Sequence, residues 1–294
     1  MSIYMHTKRL RLKSLEAAST SGPGKTERVV LPYLLSQAWD HLKSLTLDWC
    51  RPELMDHLAS LPRLQNLAFK EFGTDLLTPL AQGQPTISPS AFQLLRVLSV
   101  HPFDSRGPIR HLLKWIPPSN EICELRCSVV VASKTARRQD TIHDISRFCN
   151  PCTLGHLSST DGGLVPGDFG YLWQEEEPID PDEAEDVDIS SLYQFTSLRS
   201  LMLLWNFSHI RLTHQDASLI STSWPLIQCL DLCPRYPSYG RIPGIDHTDL
   251  LKILGGCPSL RYLGLRFDAT RIKGHDDNDS VSATSRLKIL EVGE

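Results

Sequence analysis

The sequence predicts an α/β solenoid, a single sheet of short parallel strands joined by irregular, partly helical segments that return along the outside. Three observations predict it. A six-residue pattern, apolar-x-x-Leu-x-apolar, recurs from one end of the chain to the other. Its central leucines fall about 31 residues apart on average, a spacing that fits a strand plus a return segment and is too long for a hairpin. Between copies lie stretches of helical periodicity that stop at proline or glycine.

The strand pattern comes first. It reads Leu42–Leu47 (LKSLTL), Leu64–Phe69, Leu95–Val100 and Ile122–Cys127 in the first half. It returns as Leu198–Leu203, Ile227–Leu232, Leu260–Leu265 and Leu287–Val292, with weaker copies at Thr7–Leu12 and Leu154–Ser159. The central leucines are thus 10, 45, 67, 98, 125, 157, 201, 230, 263 and 290, with intervals from 22 to 44 residues. The last three residues of each copy alternate, as a strand buried on one face must. One such strand cannot bury its own apolar face. About ten stacked side by side bury one another and pair their backbones. The return segments follow. Asp56–Leu61 runs up to Pro62, and Pro108–Ile116 runs up to Pro117 and Pro118. Asp246–Leu254 starts on a capping residue and stops at Gly255 and Gly256.

Composition supports one folded domain over residues 1–294. The chain is 41% hydrophobic and 22% charged, which excludes wholesale disorder. It has no apolar run near the ~20 residues that span a bilayer, and its first residues contain no secretory core. Eight scattered cysteines do not form a disulfide framework, so reduced thiols in the cytoplasm or nucleus are expected. The net charge of −4 is uneven. Residues 175–188 (EEEPIDPDEAEDVD) carry nine carboxylates and no Lys or Arg, and outside them 25 carboxylates face 30 cations. Residues 174–190 therefore read as a solvated, disordered loop insertion between repeats, or as a tether for a basic partner. The remaining cations form no dense Lys/Arg cluster with interleaved aromatics, so nucleic acid is not expected as a partner, nor is a membrane.

With these copies in hand, the chain resembles leucine-rich-repeat proteins over essentially its whole length. That resemblance implies a horseshoe with a parallel concave sheet and an irregular helical convex side. In such repeats an Asn or Cys just past the strand bonds the turn backbone. Cys50 and Asn206 occupy that position here and Asp268 could serve, whereas Phe72, Phe103, Val130 and Arg235 depart from it. The phrase Leu251–Leu263 (LKILGGCPSLRYL) is similar to the irregular repeats of fungal F-box proteins. That similarity implies a substrate receptor for a cullin-type ubiquitin ligase. An F-box itself is a helical module of about forty residues, and Leu31-Pro32-Tyr33-Leu34-Leu35 leaves room for one helix before the strand at Leu42. The first repeat begins near residue 7, and Val292-Gly293-Glu294 follow the last strand without a polar cap. The expectation is a truncated or divergent member whose ligase-subunit partners depend on an F-box outside this chain.

Two motifs tempt an enzymatic or metal reading. Ser21-Gly22-Pro23-Gly24-Lys25-Thr26 resembles the end of a phosphate-binding loop, but Ser19 stands where the required glycine belongs. A loop between repeats is expected there. Cys149, Cys152 and His156, with Cys123 and Cys127 upstream, have short zinc-like spacings. Cys127 also fits an inward strand position, and whether Cys149, Cys152 and His156 hold a metal stays open. There is no His-Glu-x-x-His, no Gly-x-Ser-x-Gly and no dinucleotide fingerprint. No catalytic residue, metal or cofactor is expected.

A protein ligand is expected on the concave face. If Leu45 and Leu47 are buried, Ser44 and Thr46 face out, and the same register continues along the sheet. Anchors of binding energy are usually aromatic, Arg or large apolar side chains. The candidates are Arg126, Met202, Leu204, Tyr262 and Arg266, with Lys70 and His101 toward the other end. Trp205 and the loop 235–241 lie either beside that face or packed on a neighbouring repeat.

Overall fold

The computed structural model describes residues 13–17, 32, 39–47, 52–70, 88, 90–101, 109–129, 136–161, 186–205, 209–232, 243–270 and 286–292. Among these residues ten strands form one sheet and two more form a small second one. The strands are β1 (Ser14–Ala17), β2 (Ser44–Leu47), β3 (Asn66–Lys70), β4 (Val97–His101), β5 (Glu124–Val129) and β6 (His156–Asp161). They continue with β7 (Asp186–Val187), β8 (Ser200–Leu204), β9 (His209–Ile210), β10 (Cys229–Asp231), β11 (Tyr262–Leu265) and β12 (Ile289–Val292). The helices are α1 (Pro52–Ala59), α2 (Arg110–Leu113), α3 (Ala136–Phe148), α4 (His214–Ser223) and α5 (His247–Gly256), with a 3-10 turn at Ser190–Gln194.

The main sheet runs β1-β2-β3-β4-β5-β6-β8-β10-β11-β12, and every pairing is parallel. The fold is therefore α/β with a ten-stranded parallel sheet. Register follows the leucines. Leu15, Leu45, Leu67, Leu98, Leu125, Leu157, Leu201, Leu230, Leu263 and Leu290 are each the direct partner of the next. Eight of them, Leu45 to Leu263, are at most 1% exposed. A slip of one residue would turn this whole ladder to solvent, which fixes the register.

That ladder corrects one expectation. The strand beside β2 is centred on Leu15 where Leu10 was expected, because Leu12-Lys13-Ser14-Leu15-Glu16-Ala17 also satisfies the pattern and it is Leu15 that pairs with Leu45. The copy at 7–12 lies outside the described residues. So do the phosphate-loop motif at 21–26, most of 31–35, the loop 235–241, and Cys50, Phe72, Phe103, Val130, Asn206 and Arg235.

A second ladder lies behind the first. Leu42, Leu64, Leu95, Ile122, Leu154, Leu198, Ile227 and Leu260 are buried just ahead of their strands. Return segments close the core from the far side, through Leu54, Met55 and Leu58 of α1, Ile142 and Ile145 of α3, Ala217 and Ile220 of α4, and Ile253 of α5. Some buried polar side chains in this core have partners. Ser159 is fully buried at an inward position of β6 and accepts a 3.1 Å hydrogen bond from Trp205 Nε1. Trp205 is 1% exposed, so it belongs to the core and not to the outward face.

Helices α4 and α5 start on capping boxes. Thr213 and Asp216 cap α4 reciprocally, and Asp246 and Asp249 do the same for α5. The two helices pack closely at Gly256, where any Cβ would collide with Ser221, which is why α5 reaches its end on glycine. Gly244, just ahead of α5, lies equally close to the Leu212 carbonyl. The acidic segment expected as a loop over 174–190 is outside the described residues as far as 185. Its last residues are structured, because Val187 and Ile189 are apolar and become buried, with β7 pairing in parallel with β9.

Candidate functional site

Alternate residues of the ten strands point away from the leucine ladder and make the outward face of the sheet. The first row is Ser14, Ser44, Asn66, Val97, Glu124, His156, Ser200, Cys229, Tyr262 and Ile289. Ser14, Asn66, His156 and Ile289 are exposed and the rest half-buried. The second row is Glu16, Thr46, Ala68, Ser99, Arg126, Ser158, Met202, Asp231, Gly264 and Glu291, in which Ser99, Asp231 and Gly264 are buried. Polar, charged, apolar and aromatic groups are mixed along the face.

The candidate anchors fall as follows. Arg126 is exposed and doubly bonded to Glu124, through Nη2 at 2.5 Å and Nε at 2.6 Å. This pair lies within β5, so the guanidinium is oriented without reaching another strand. His101 is half-buried at the end of β4, with Nδ1 2.8 Å from Ser128 Oγ of β5. Lys70 is the strand partner of His101, and its side chain lies outside the described residues. Met202 and Leu204 are half-buried on β8. Tyr262 is held between Asp231 on β10 and Glu291 on β12. Burial, then hydrogen bonding to Glu291 and the charge of Asp231, push its phenol well above the ordinary tyrosine value, so it stays protonated and donating. Arg266 is half-buried. It follows β11, and with His209, Ile210, Leu212, Leu232 and Pro243 it lines a small crevice beside β9. Asp268, where the resemblance calls for Asn or Cys, accepts the Thr270 N–H at 2.9 Å.

The sheet thus aligns Lys70 with His101, and Met202 with Asp231 one strand short of Tyr262, but it does not gather all seven candidates at one point. What the sequence reading missed is the Asp231–Tyr262–Glu291 bridge. Tyr262 stands on the strand between those that carry the two carboxylates, both of which are in register with Gly264.

The possible zinc ligands do not converge. Cys149 is buried at the end of α3, Cys152 is exposed in the following turn, and His156 is exposed on the outward face of β6. Cys127 is buried, with its thiol pushed up to about 11 by burial, and Cys149 is pushed up to about 12 by burial and then by the neighbouring Cys127. Neither is a ready thiolate.

Among the described residues one group could supply three metal-ligand atoms, His214, Asp246 and Asp249. Its bonds are those of a clamp between two helix starts. Asp249 has no exposed side chain. Its Oδ2 meets His214 Nδ1 and accepts the Asp246 N–H at 3.2 Å, and its Oδ1 accepts from Lys252 Nζ at 3.0 Å. Asp246 Oδ1 is occupied by the Thr248 N–H at 2.8 Å and the Thr248 hydroxyl at 2.6 Å. Two helix N-termini and an ammonium already neutralise this corner. Burial opposes the charge on Asp249, but the Asp246 N–H, Lys252 and His214 hold its carboxyl below the ordinary value. Hydrogen bonds from Thr248 hold Asp246 at about 2.

No helix among the described residues is long and apolar enough to cross a membrane. No family model matches the chain, and no curated protein matches it.

Proposed function

We propose that this chain is a non-enzymatic binding scaffold, an irregular leucine-rich-repeat horseshoe that captures a protein ligand on the outward, concave face of its sheet. The carrying observation is the register: ten parallel strands present two continuous rows of mixed side chains, 14 to 289 and 16 to 291. Such a surface suits a folded or extended protein better than a polymer of uniform charge. Arg126, Met202 and Tyr262 supply a cation, a soft apolar group and an aromatic ring on neighbouring parts of it, the kinds of side chain that concentrate binding energy. In the specific form we propose, the repeat face presents a substrate to a cullin-type ubiquitin ligase whose other subunits carry out the transfer. The similarity of Leu251–Leu263 to F-box-protein repeats supports that form.

The test is affinity capture from native extract with the wild-type chain and with a Met202→Asp/Tyr262→Ala variant, read by quantitative mass spectrometry. The proposal expects a stoichiometric protein partner that the variant loses, with cullin-ligase subunits recovered alongside it. A partner that the variant retains would refute the face as the binding surface. Loss of a partner with no ligase subunits present would leave a binding module outside the ubiquitin system.

A further inference from the structure

Ahead of the outward rows lies another line of residues, one at the start of each strand. It runs Lys13, Lys43, Gln65, Arg96, Cys123, Gly155, Arg199, Gln228, Arg261, Lys288. An unbroken chain of backbone bonds joins them. The N–H of each donates to the carbonyl of the one before, at 2.7–2.9 Å, from Lys43 on Lys13 to Lys288 on Arg261. The sequence spreads these residues over 276 positions, so no basic run is visible in it. The fold brings them into single file, about 5 Å from strand to strand. Six of the ten are cations, and all six are exposed.

Their charges are mostly uncompensated. Arg96 pairs with Glu121 at 2.7 Å. Among the described residues Lys13, Lys43, Arg199, Arg261 and Lys288 make no ion pair. Within three positions ahead of the file the described charges are Asp40, Arg63, Glu121 and Arg286, which leaves the rim strongly positive. Lys13 sits directly beside Lys43, and Arg261 beside Lys288. Like charges on adjacent strands repel, and an incoming anion relieves that repulsion. Two large exposed apolar side chains, Leu94 (39%) and Leu226 (47%), lie two residues ahead of Arg96 and Gln228 on the same rim.

We infer that this rim binds an acidic, extended protein segment lying across the strand starts. The inference rests on the protein-binding reading above and adds the chemistry of the partner. Nine strand steps span ~43 Å, which an extended segment covers with about thirteen residues. Leu94 and Leu226 would receive apolar side chains interspersed among its carboxylates. The neighbouring charge pattern favours protein over nucleic acid. Three residues further along the strands the face carries three carboxylates, exposed Glu16 and Glu291 and buried Asp231, against one cation, Arg126, which is paired with Glu124, about one Debye length from the file. An even phosphate polymer broad enough to cover both lines would be repelled by the second. A protein can place carboxylates over one line and avoid the other.

The test titrates the full chain with a fluorescein-labelled peptide of about fourteen glutamates, read by anisotropy, beside a single-stranded oligothymidylate of equal charge. The peptide is expected to bind, to weaken as salt rises to physiological strength, and to lose at least about tenfold in affinity in the Lys43→Glu/Arg199→Glu/Arg261→Glu variant. The milder Gln triple is expected to lose less, while a reversal away from the rim, Arg211→Glu, binds as the wild type does. Circular dichroism checks that each variant is folded. No binding at low salt, or equal binding by both triple variants, overturns the inference. Tighter binding of the oligothymidylate, lost in the triple variants, overturns it in favour of nucleic acid. The probe carries no folded partner, so its failure leaves the outward-face proposal standing, and failure of the capture experiment leaves the rim result standing.

Discussion

Strands β11 and β12 are neighbours with the same local pattern and opposite fates. Leu263 and Leu265 of β11 are 0% and 1% exposed, whereas their register partners Leu290 and Val292 of β12 are 45% and 47% exposed. Ile289, on the other face of β12, is also exposed. The pattern is equal in the two strands, so it does not determine burial by itself. A leucine in this sheet is buried when strands lie on both sides of it and a return helix lies behind it. Leu263 has β10, β12 and α5, and Leu290 has a neighbour on one side only among the described residues. Stability in such a stack comes from interfaces between neighbours.

The largest expected effect breaks the comparison directly. Leu230→Ala, between β8 and β11, is expected to destabilise the chain by about 2–5 kcal/mol in denaturant unfolding, because it opens a cavity at a fully buried position. The same change at Leu290 is expected to cost less than about 1 kcal/mol. Equal losses at the two sites would refute the role assigned to two-sided neighbours.

The next effect concerns what holds adjacent layers together. Asp249→Asn is expected to cost about 1–3 kcal/mol at neutral pH, through the α5 capping box and the link to His214 on α4. The sign with pH follows from the lowered carboxyl. The wild-type advantage is complete above the ordinary carboxylate value, ~4, and disappears as pH falls through the lower folded value. Thermal unfolding of the two proteins across acidic pH should therefore converge. A smaller contrast separates thiols. Cys152 should react with an alkylating reagent within minutes, while Cys127 and Cys149, buried and with raised values, should be labelled only as fast as the native state opens, as mapped by mass spectrometry. Smallest of all, Arg126→Ala should change stability by less than about 1 kcal/mol, since its pair with Glu124 is solvent-facing. Any larger consequence of that substitution belongs to binding.

Strand existence and register were legible in the sequence because one leucine per strand, always flanked by the same spacing, is enough to align ten strands. The exception was the first, where residues 7–12 and 12–17 both satisfy the pattern and only pairing with Leu45 separates them. Helix α5 was legible through Asp246 and the Gly255-Gly256 stop, and α1 only in part, since it runs over Pro52–Ala59 where 56–61 was expected. Helix α3 was not, because its sequence (ARRQDTIHDISRF) is mostly polar and few residues, notably Ile142 and Ile145, anchor it. Of the candidate face, the rows were legible, since alternation assigns them. The burial of Trp205 was not, because it stands past the last paired residue of its strand, where alternation no longer dictates direction. The basic rim was invisible because its members are neighbours only after folding.

Double electron–electron resonance between spin labels on the outward row tests the central claim most directly. With one label at Ser44, the second is placed in turn at Asn66, His156 and Ile289, which are one, four and eight strands away. A single parallel sheet in leucine register predicts separations that lengthen with strand count, ~19 Å between Ser44 and His156 and up to ~38 Å between Ser44 and Ile289, the last shortened if the sheet closes into a horseshoe. Broad distributions, or a Ser44–His156 distance as long as that from Ser44 to Ile289, would contradict it.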